Sequence, residues 1–323
     1  MLNEGNVVMP ACAGTITRRA VRTCVAMCRG DGFSNDATIL CYPAKGDPKP
    51  AEKPSSFNDL FGMIPHDERP VLASRAGQYN EALPLPALRA HFQCVWTHSV
   101  AGQRATRIAV VPDGCVDLLW RDSRFVVVGP DISAANTVLS PGRTVVGLRF
   151  RPGAAAQWLG LPLTEIVGRE VPMAELWGRR ADRVAERLGE VSSAREQALI
   201  FQELLADSTA AFDQPPREAS AIFEFLSTIA ESDSNKIASL HDRVNMSERT
   251  LRRWSIEHFG YGLKTLDRIL RFQKFRALAL AGADDRLAGL AFGAGYSDQA
   301  HLSREIQALC GMTAGEFVRQ LTG

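Results

Sequence analysis

Between residues 79 and 150 the apolar positions come in short runs rich in β-branched and aromatic residues. The runs predict strands over 92–100, 107–111, 115–120, 125–128 and 144–150. Turn signals separate them: Ala101-Gly102, Pro112-Asp113-Gly114, Gly129-Pro130-Asp131 and Pro141-Gly142. Short strands at this spacing predict a sandwich or small barrel. In the 115–120 run, Asp117 interrupts apolar neighbours, which leaves two readings: a carboxylate turned into a ligand cavity, or one facing outward at an edge. Arg149 and Arg151 alternate with Phe150 and are expected on the opposite face, where they could hold an acidic ligand or face water, the second being the favoured reading. After Pro152-Gly153 the period becomes helical, with helices expected over 154–159, within 171–190 and over 194–207. Gln214-Pro215-Pro216-Arg217 marks a domain boundary, and a helix over 218–230 follows.

From Ile237 to Phe317 one small pattern occurs twice. In each copy a short apolar-periodic helix runs into a residue that tolerates positive φ, Asn245 or Gly295. An apolar residue follows, then a Ser suited to N-capping, Ser247 or Ser297, and a second helix. That is the pattern of a helix-turn-helix. An apolar helix over 266–280 joins the copies and is expected between packed neighbours.

Charge adds a location. The chain as a whole carries only +1, yet from Arg243 to Arg276 nine Lys and Arg stand against three acids, a local +6. In the first copy Arg249, Arg252 and Arg253 lie opposite the inner face of Leu251, Trp254 and Phe259. Arginine is suited to bidentate guanine or phosphate contacts. In the second copy Gln299, Ser303 and Arg304 lie opposite the inward Leu302, and glutamine suits adenine. Arg268, Arg271, Lys274 and Arg276 on the joining helix are expected to offer basic patches to phosphates.

The stretches RTLRRWSIEHFGYGLKTLDRILRFQKFRALAL and LAGLAFGAGYSDQAHLSREIQALCGMTAGEFVRQ resemble the DNA-binding domain of AraC/XylS-type transcriptional regulators, over about residues 220–319. The second half carries the more specific positions: Ala291, Gly295 to Gln299, His301-Leu302, Ser303-Arg304 and Gly311-x-Thr313. The resemblance implies that Arg249, Arg252 and Arg253, and Gln299, Ser303 and Arg304, are the groove-facing residues. His241, Asn245, Ser255, Ile306 and Ala314 depart from the family pattern, three of them in the first copy. The segment from Leu88 to Gly178 resembles a sensor-like domain found in some of these regulators.

The expected architecture is α+β and multidomain. It comprises a poorly ordered leader (1–75), a β-rich sensing or dimerising domain with C-terminal helices (76–213), and an all-α AraC-type domain (218–320) with helix-turn-helix motifs at about 237–259 and 286–310. Met63 is an alternative start, since compact patterning begins soon after it. The leader holds Cys12, Cys24, Cys28 and Cys41 in a C-x11-C-x3-C-x12-C spacing, without the paired close spacings of a zinc site, so no metal or other cofactor is expected.

An enzyme on the β-rich domain with accessory DNA binding is the rival reading. Its polar groups are His91, His98, Asp113, Cys115 and Asp117, and these lack a nucleophile–base–orienter spacing. No catalytic residue is assigned. The expected function is sequence-specific transcriptional regulation in the cytoplasm, with double-stranded DNA as partner. A small-molecule effector, RNA polymerase and a second copy of the chain are further candidate partners. No apolar run is long enough to span a membrane.

Overall fold

The apolar runs of the first half pair into two sheets. The computed structural model describes residues 70–100, 105–228, 236–283 and 286–322. All of these fall within one compact unit, Met63–Gly323. The four leader cysteines and Met63 lie outside the described residues.

The strands are β1 (Val71–Leu72), β2 (Gln78–Ala82), β3 (Phe92–Ser99), β4 (Thr106–Val110), β5 (Asp117–Arg121), β6 (Arg124–Val128), β7 (Ala135–Leu139), β8 (Thr144–Phe150) and β9 (Glu170–Pro172). Six form an antiparallel sheet in the order β2-β3-β8-β5-β6-β9, and three form a small sheet in the order β1-β4-β7. The five expected strands are present to within two residues at their ends; β1, β2, β7 and β9 were not expected. β1 lies where the sequence suggested an unstructured leader.

Alternation along the central strands divides two cores. Leu118, Val127, Val146, Leu148 and Phe150 point to one face. There they meet α1 (Ala155–Leu159), α2 (Met173–Trp177), α3 (Arg179–Gly189) and α4 (Ala194–Ala206). Trp158 is the hub: it stacks on Phe212 at 4.2 Å and meets Phe92 edge-on at 4.9 Å. Each such fully buried large side chain contributes roughly 1.5–3 kcal/mol. Leu119, Val126 and Val145 point to the other face, against Ile108 and Leu139 of the small sheet. The helical stretch expected within 171–190 is split in two by Gly178, which adopts a positive φ of 52°.

The second half is helical: α5 (Arg217–Thr228), α6 (Lys236–Val244), α7 (Glu248–Phe259), α8 (Leu263–Leu280), α9 (Leu287–Ala294), α10 (Gln299–Cys310) and α11 (Ala314–Thr322). The central helix α8 buries Leu266, Ile269, Leu270, Phe272 and Phe275, as expected of a helix with apolar residues around much of its circumference. Its core does not stop at the domain boundary, because Leu72 of β1 and Ala109 of β4 belong to the same apolar cluster. Polar ties cross as well. Gln273 of α8 donates to the Pro112 carbonyl at 2.7 Å, and the Leu72 N–H donates to Gln320 Oε1 of α11 at 2.8 Å.

Candidate nucleic-acid interface

Each helix-turn-helix is built around a backbone turn that its sequence permits. In the first, α6 ends at Asn245 with φ 50°, and the Met246 N–H returns to the His241 carbonyl at 3.3 Å. In the second, α9 ends at Gly295 with φ 87°, and the Tyr296 N–H returns to the Ala291 carbonyl at 2.9 Å. Both residues occupy the left-handed region, which asparagine and glycine tolerate best. Ser247 caps α7, its Oγ accepting from the Thr250 N–H at 3.3 Å. The second cap differs from expectation. Asp298, not Ser297, caps α10, its carboxylate accepting from the His301 N–H at 2.6 Å. That N–H and the Ser297 hydroxyl hold the Asp298 carboxyl below the usual carboxylate range.

The departures from the family pattern in the first motif find partners. Ser255, where an aromatic is usual, is fully buried and donates its hydroxyl to the Tyr261 carbonyl at 2.7 Å. Trp254 is half-buried, stacks near His258 at 4.2 Å and meets Phe259 edge-on. The inner face of α7 is therefore Leu251, Ser255 and Phe259, with Trp254 at its margin. His241 Nδ1 donates to the Met246 carbonyl across the turn, at 3.1 Å.

Arg249, Arg252 and Arg253 are exposed along α7, and Gln299 and Arg304 along α10. Among the described residues none of these arginines is tied into a salt bridge. Ser303 is partly buried, and its hydroxyl donates to the Gln299 carbonyl one turn earlier at 2.9 Å. Ser303 and Arg304 line an open groove of about 550 Å³ with Leu287, Gln307, Thr313 and Gly315.

The charges of α8 are arranged otherwise than expected. Arg268 pairs with Glu305 of α10 at 2.6 Å, and Arg271 pairs with Asp267 one turn away. Arg276 donates to Gln273 at 3.3 Å. Arg268 is thus neutralised by a tie from α8 to α10 and Arg271 by one within α8, while Arg249, Arg252, Arg253 and Arg304 stay exposed.

The polar groups of the β-rich domain also differ from expectation. Arg149 does not face water. It grips Asp117, directly opposite on β5, with Nε to Oδ1 at 3.2 Å and Nη2 to Oδ2 at 3.1 Å, and it reaches Asp113 at 3.0 Å. The Trp96 indole N–H also donates to Asp117 at 3.2 Å. On the face opposite Phe150, shared with Val145 and Gly147, the Arg149 side chain is only 22% exposed, and that enclosure is why it needs internal partners. Burial disfavours its charge, but Asp117 and Asp113 hold the guanidinium well above its usual range. Asp131 is pushed up to about 6 by burial and by the like charges of Asp113 and Asp117. Arg151 remains exposed, donating to the Arg89 carbonyl at 2.6 Å.

Asp113, Cys115 and Asp117 therefore gather around a cation rather than around a base, and burial raises the Cys115 thiol well above its usual range. His98 is bound to the Ala76 carbonyl, and His91 packs against Trp158. A nucleophile–base pair is not formed by these groups.

A helix-turn-helix family profile matches residues 240–320, and a domain of unknown function (DUF6597) matches residues 80–172. No curated protein sequence matches the chain. Among solved structures, a 1.65 Å structure of ToxT from Vibrio cholerae is 11% identical, with a TM-score of 0.40 over 72% of this chain and 100% of that one. ToxT bound to (E)-4-(8-methylnaphthalen-1-yl)but-3-enoic acid is 12% identical, with a TM-score of 0.36 over 76% and 100%. ToxT with bound unsaturated fatty acid is 13% identical, with a TM-score of 0.34 over 72% and 91%. Likeness of this degree assigns no ligand to the present chain. The chain thus carries a DUF6597 domain over residues 80–172 and a helix-turn-helix domain over residues 240–320.

Proposed function

We propose that the protein is a sequence-specific DNA-binding transcriptional regulator whose β-rich domain responds to a small molecule. The observation that carries the reading is the pair of capped helices, α7 and α10, each offering exposed polar or basic side chains while Arg268 and Arg271 of α8 are internally paired. Arg249, Arg252 and Arg253 supply contacts in one stretch of major groove, and Gln299, Ser303 and Arg304 in the next. Ser303, with its hydroxyl turned to the Gln299 carbonyl, contributes through close approach of the helix rather than through a committed base contact. Phosphate neutralisation supplies most of the affinity and the two helix faces supply the reading. The protein acts in the cytoplasm, with RNA polymerase and a second copy of the chain as further partners.

Enrichment of a random duplex pool with the full chain tests this directly. A recurring sequence long enough for two adjacent groove faces is expected. On that sequence Arg304→Ala weakens binding by about 10-fold or more, the scale of a lost base contact. Unchanged affinity removes Arg304 from the interface, and failure to enrich any sequence refutes the function.

A further inference from the structure

The loop between β6 and β7, residues 129–134, touches both helix-turn-helix motifs. Its first residue is locked to its own domain. The Gly129 N–H donates to the Arg169 carbonyl at 2.9 Å, and the Pro130 carbonyl accepts from the Gly168 N–H at 3.2 Å. A Cβ on Gly129 would stand 1.8 Å from the Ile166 carbonyl oxygen, so no other residue fits there without moving backbone. Pro130 then meets the end of α7. Gly260 closes that helix at φ 84°, and the space a Cβ would take there is hemmed by Pro130 at 3.0 Å, Val167 at 2.7 Å and the Leu163 carbonyl at 3.2 Å. Four residues on, the Ala134 N–H donates to the Leu309 carbonyl at 2.6 Å, near the end of α10. That carbonyl belongs to the last turn of a helix, where no intrahelical donor exists, so the loop supplies the missing partner.

We propose that residues 129–134 form a strap by which the β-rich domain sets the placement of the two recognition helices relative to each other. The inference rests on the DNA-binding reading above. Four peptide steps span at most about 14 Å, so the loop holds its contacts at the ends of α7 and α10 within that separation. Two helices that must enter successive groove faces one helical turn apart bind well only if their mutual placement matches the duplex. Other ties reach one recognition helix or neither: Val167 and the Leu163 carbonyl meet the end of α7, Gln273 lies on α8 and Gln320 on α11. Among these ties of the described residues, the strap reaches the ends of both recognition helices.

The test uses the full chain and its enriched duplex, together with a second duplex carrying one extra base pair between the two subsites. The extra pair turns the subsites by roughly 35° against each other. Wild-type protein is expected to lose about 10-fold or more in affinity on the lengthened duplex. Ala134→Pro removes the donor to Leu309, and Pro130→Gly loosens the loop without removing a hydrogen bond. In both, the penalty for the extra base pair is expected to shrink to about a third or less, whereas Gln320→Ala, which breaks a domain contact away from the recognition helices, keeps the full penalty. Hydrogen exchange of the DNA-free proteins gives an independent reading: amides at 258–262 and 307–312 speed up in the strap variants and not in Gln320→Ala. An undiminished penalty in the strap variants overturns the proposal, and so does an equal loss in Gln320→Ala. If the wild-type chain selects no duplex, the DNA-binding reading fails by itself; the strap is then decided by exchange, and unchanged protection at both helix ends overturns it.

Discussion

Replacing Arg149 by Met removes the single cation from a nest of carboxylates while keeping most of its volume. Asp117 is only 8% exposed and loses two guanidinium hydrogen bonds, and Asp113 loses its ion pair. Breaking one half of a buried ion pair costs roughly 3–5 kcal/mol, because the remaining charge stays desolvated. The Arg149 and Asp113 side chains are 22% and 33% exposed, so water recovers part of this, and about 2–4 kcal/mol is expected. For a unit of this size that corresponds to roughly 5–15 °C in melting temperature. Urea unfolding of wild type, Arg149→Met, Asp117→Asn and the double variant gives the coupling directly. The double variant is expected to be more stable than the sum of the two single losses by at least about 1 kcal/mol. A deficit below about 0.5 kcal/mol at pH 7.5 refutes the account of Arg149 as a buried counter-ion.

Asp131, pushed up to about 6, predicts the opposite response to replacement. Its folded pKa lies above the unfolded value, so the native state gains a proton more easily and wild-type stability falls as pH rises from about 4 to about 6. Asp131→Asn is therefore expected to stabilise at pH 7.5 by about 1–2 kcal/mol after allowance for partial exposure, with the gain vanishing near pH 4 in thermal melts. Parallel wild-type and variant curves across that window would falsify it. In DNA binding, Arg252→Ala and Arg253→Ala are each expected to flatten the salt dependence of affinity by about one unit of slope, whereas Arg304→Ala mainly blurs base preference. Base-pair swaps beneath α10 are accordingly expected to cost more than swaps beneath α7; equal or reversed penalties remove the division of labour.

How much of this was legible depended on whether a residue's state was set locally. The strands at 92–100 and 144–150 were legible because their own β-branched and aromatic runs demand burial. β2, Gln-Tyr-Asn-Glu-Ala, is exposed at every position and exists only because β3 offers it a ladder. β1 is two residues long, below any periodicity. Parity placed Arg149 opposite Phe150 correctly, but parity does not say what covers the far side. The signal that was available lay in a pair, since Asp117 and Arg149 are cross-strand neighbours once β5 and β8 are aligned. Likewise the turn residues Asn245 and Gly295 announced both helix-turn-helix motifs from the sequence, while the pairing of Arg268 with Glu305 required knowing how α8 and α10 cross.

The two motifs are also held unequally, and this bears on how a signal in the β-rich domain reaches DNA. α7 ends at Gly260, a buried position packed against Pro130, Val167 and the Leu163 carbonyl. α10 ends at Gly311, which is exposed with open space around it, and the strap reaches the end of that helix at Ala134, through a backbone hydrogen bond to Leu309 beside an apolar contact with the helical core. A shift of the segment 129–134 therefore presses on α7 at Pro130, in a packed corner that Val167 and the Leu163 carbonyl also close, and on α10 mainly through the hydrogen bond at Leu309. Close-packed contacts transmit displacement, whereas a lone hydrogen bond yields at a net cost of about 1 kcal/mol. The arginine-rich helix, on which affinity is expected to depend most, is thus the one the β-rich domain grips more firmly. Movement of the β-rich domain would then alter the strength of binding before it altered the sequence preferred.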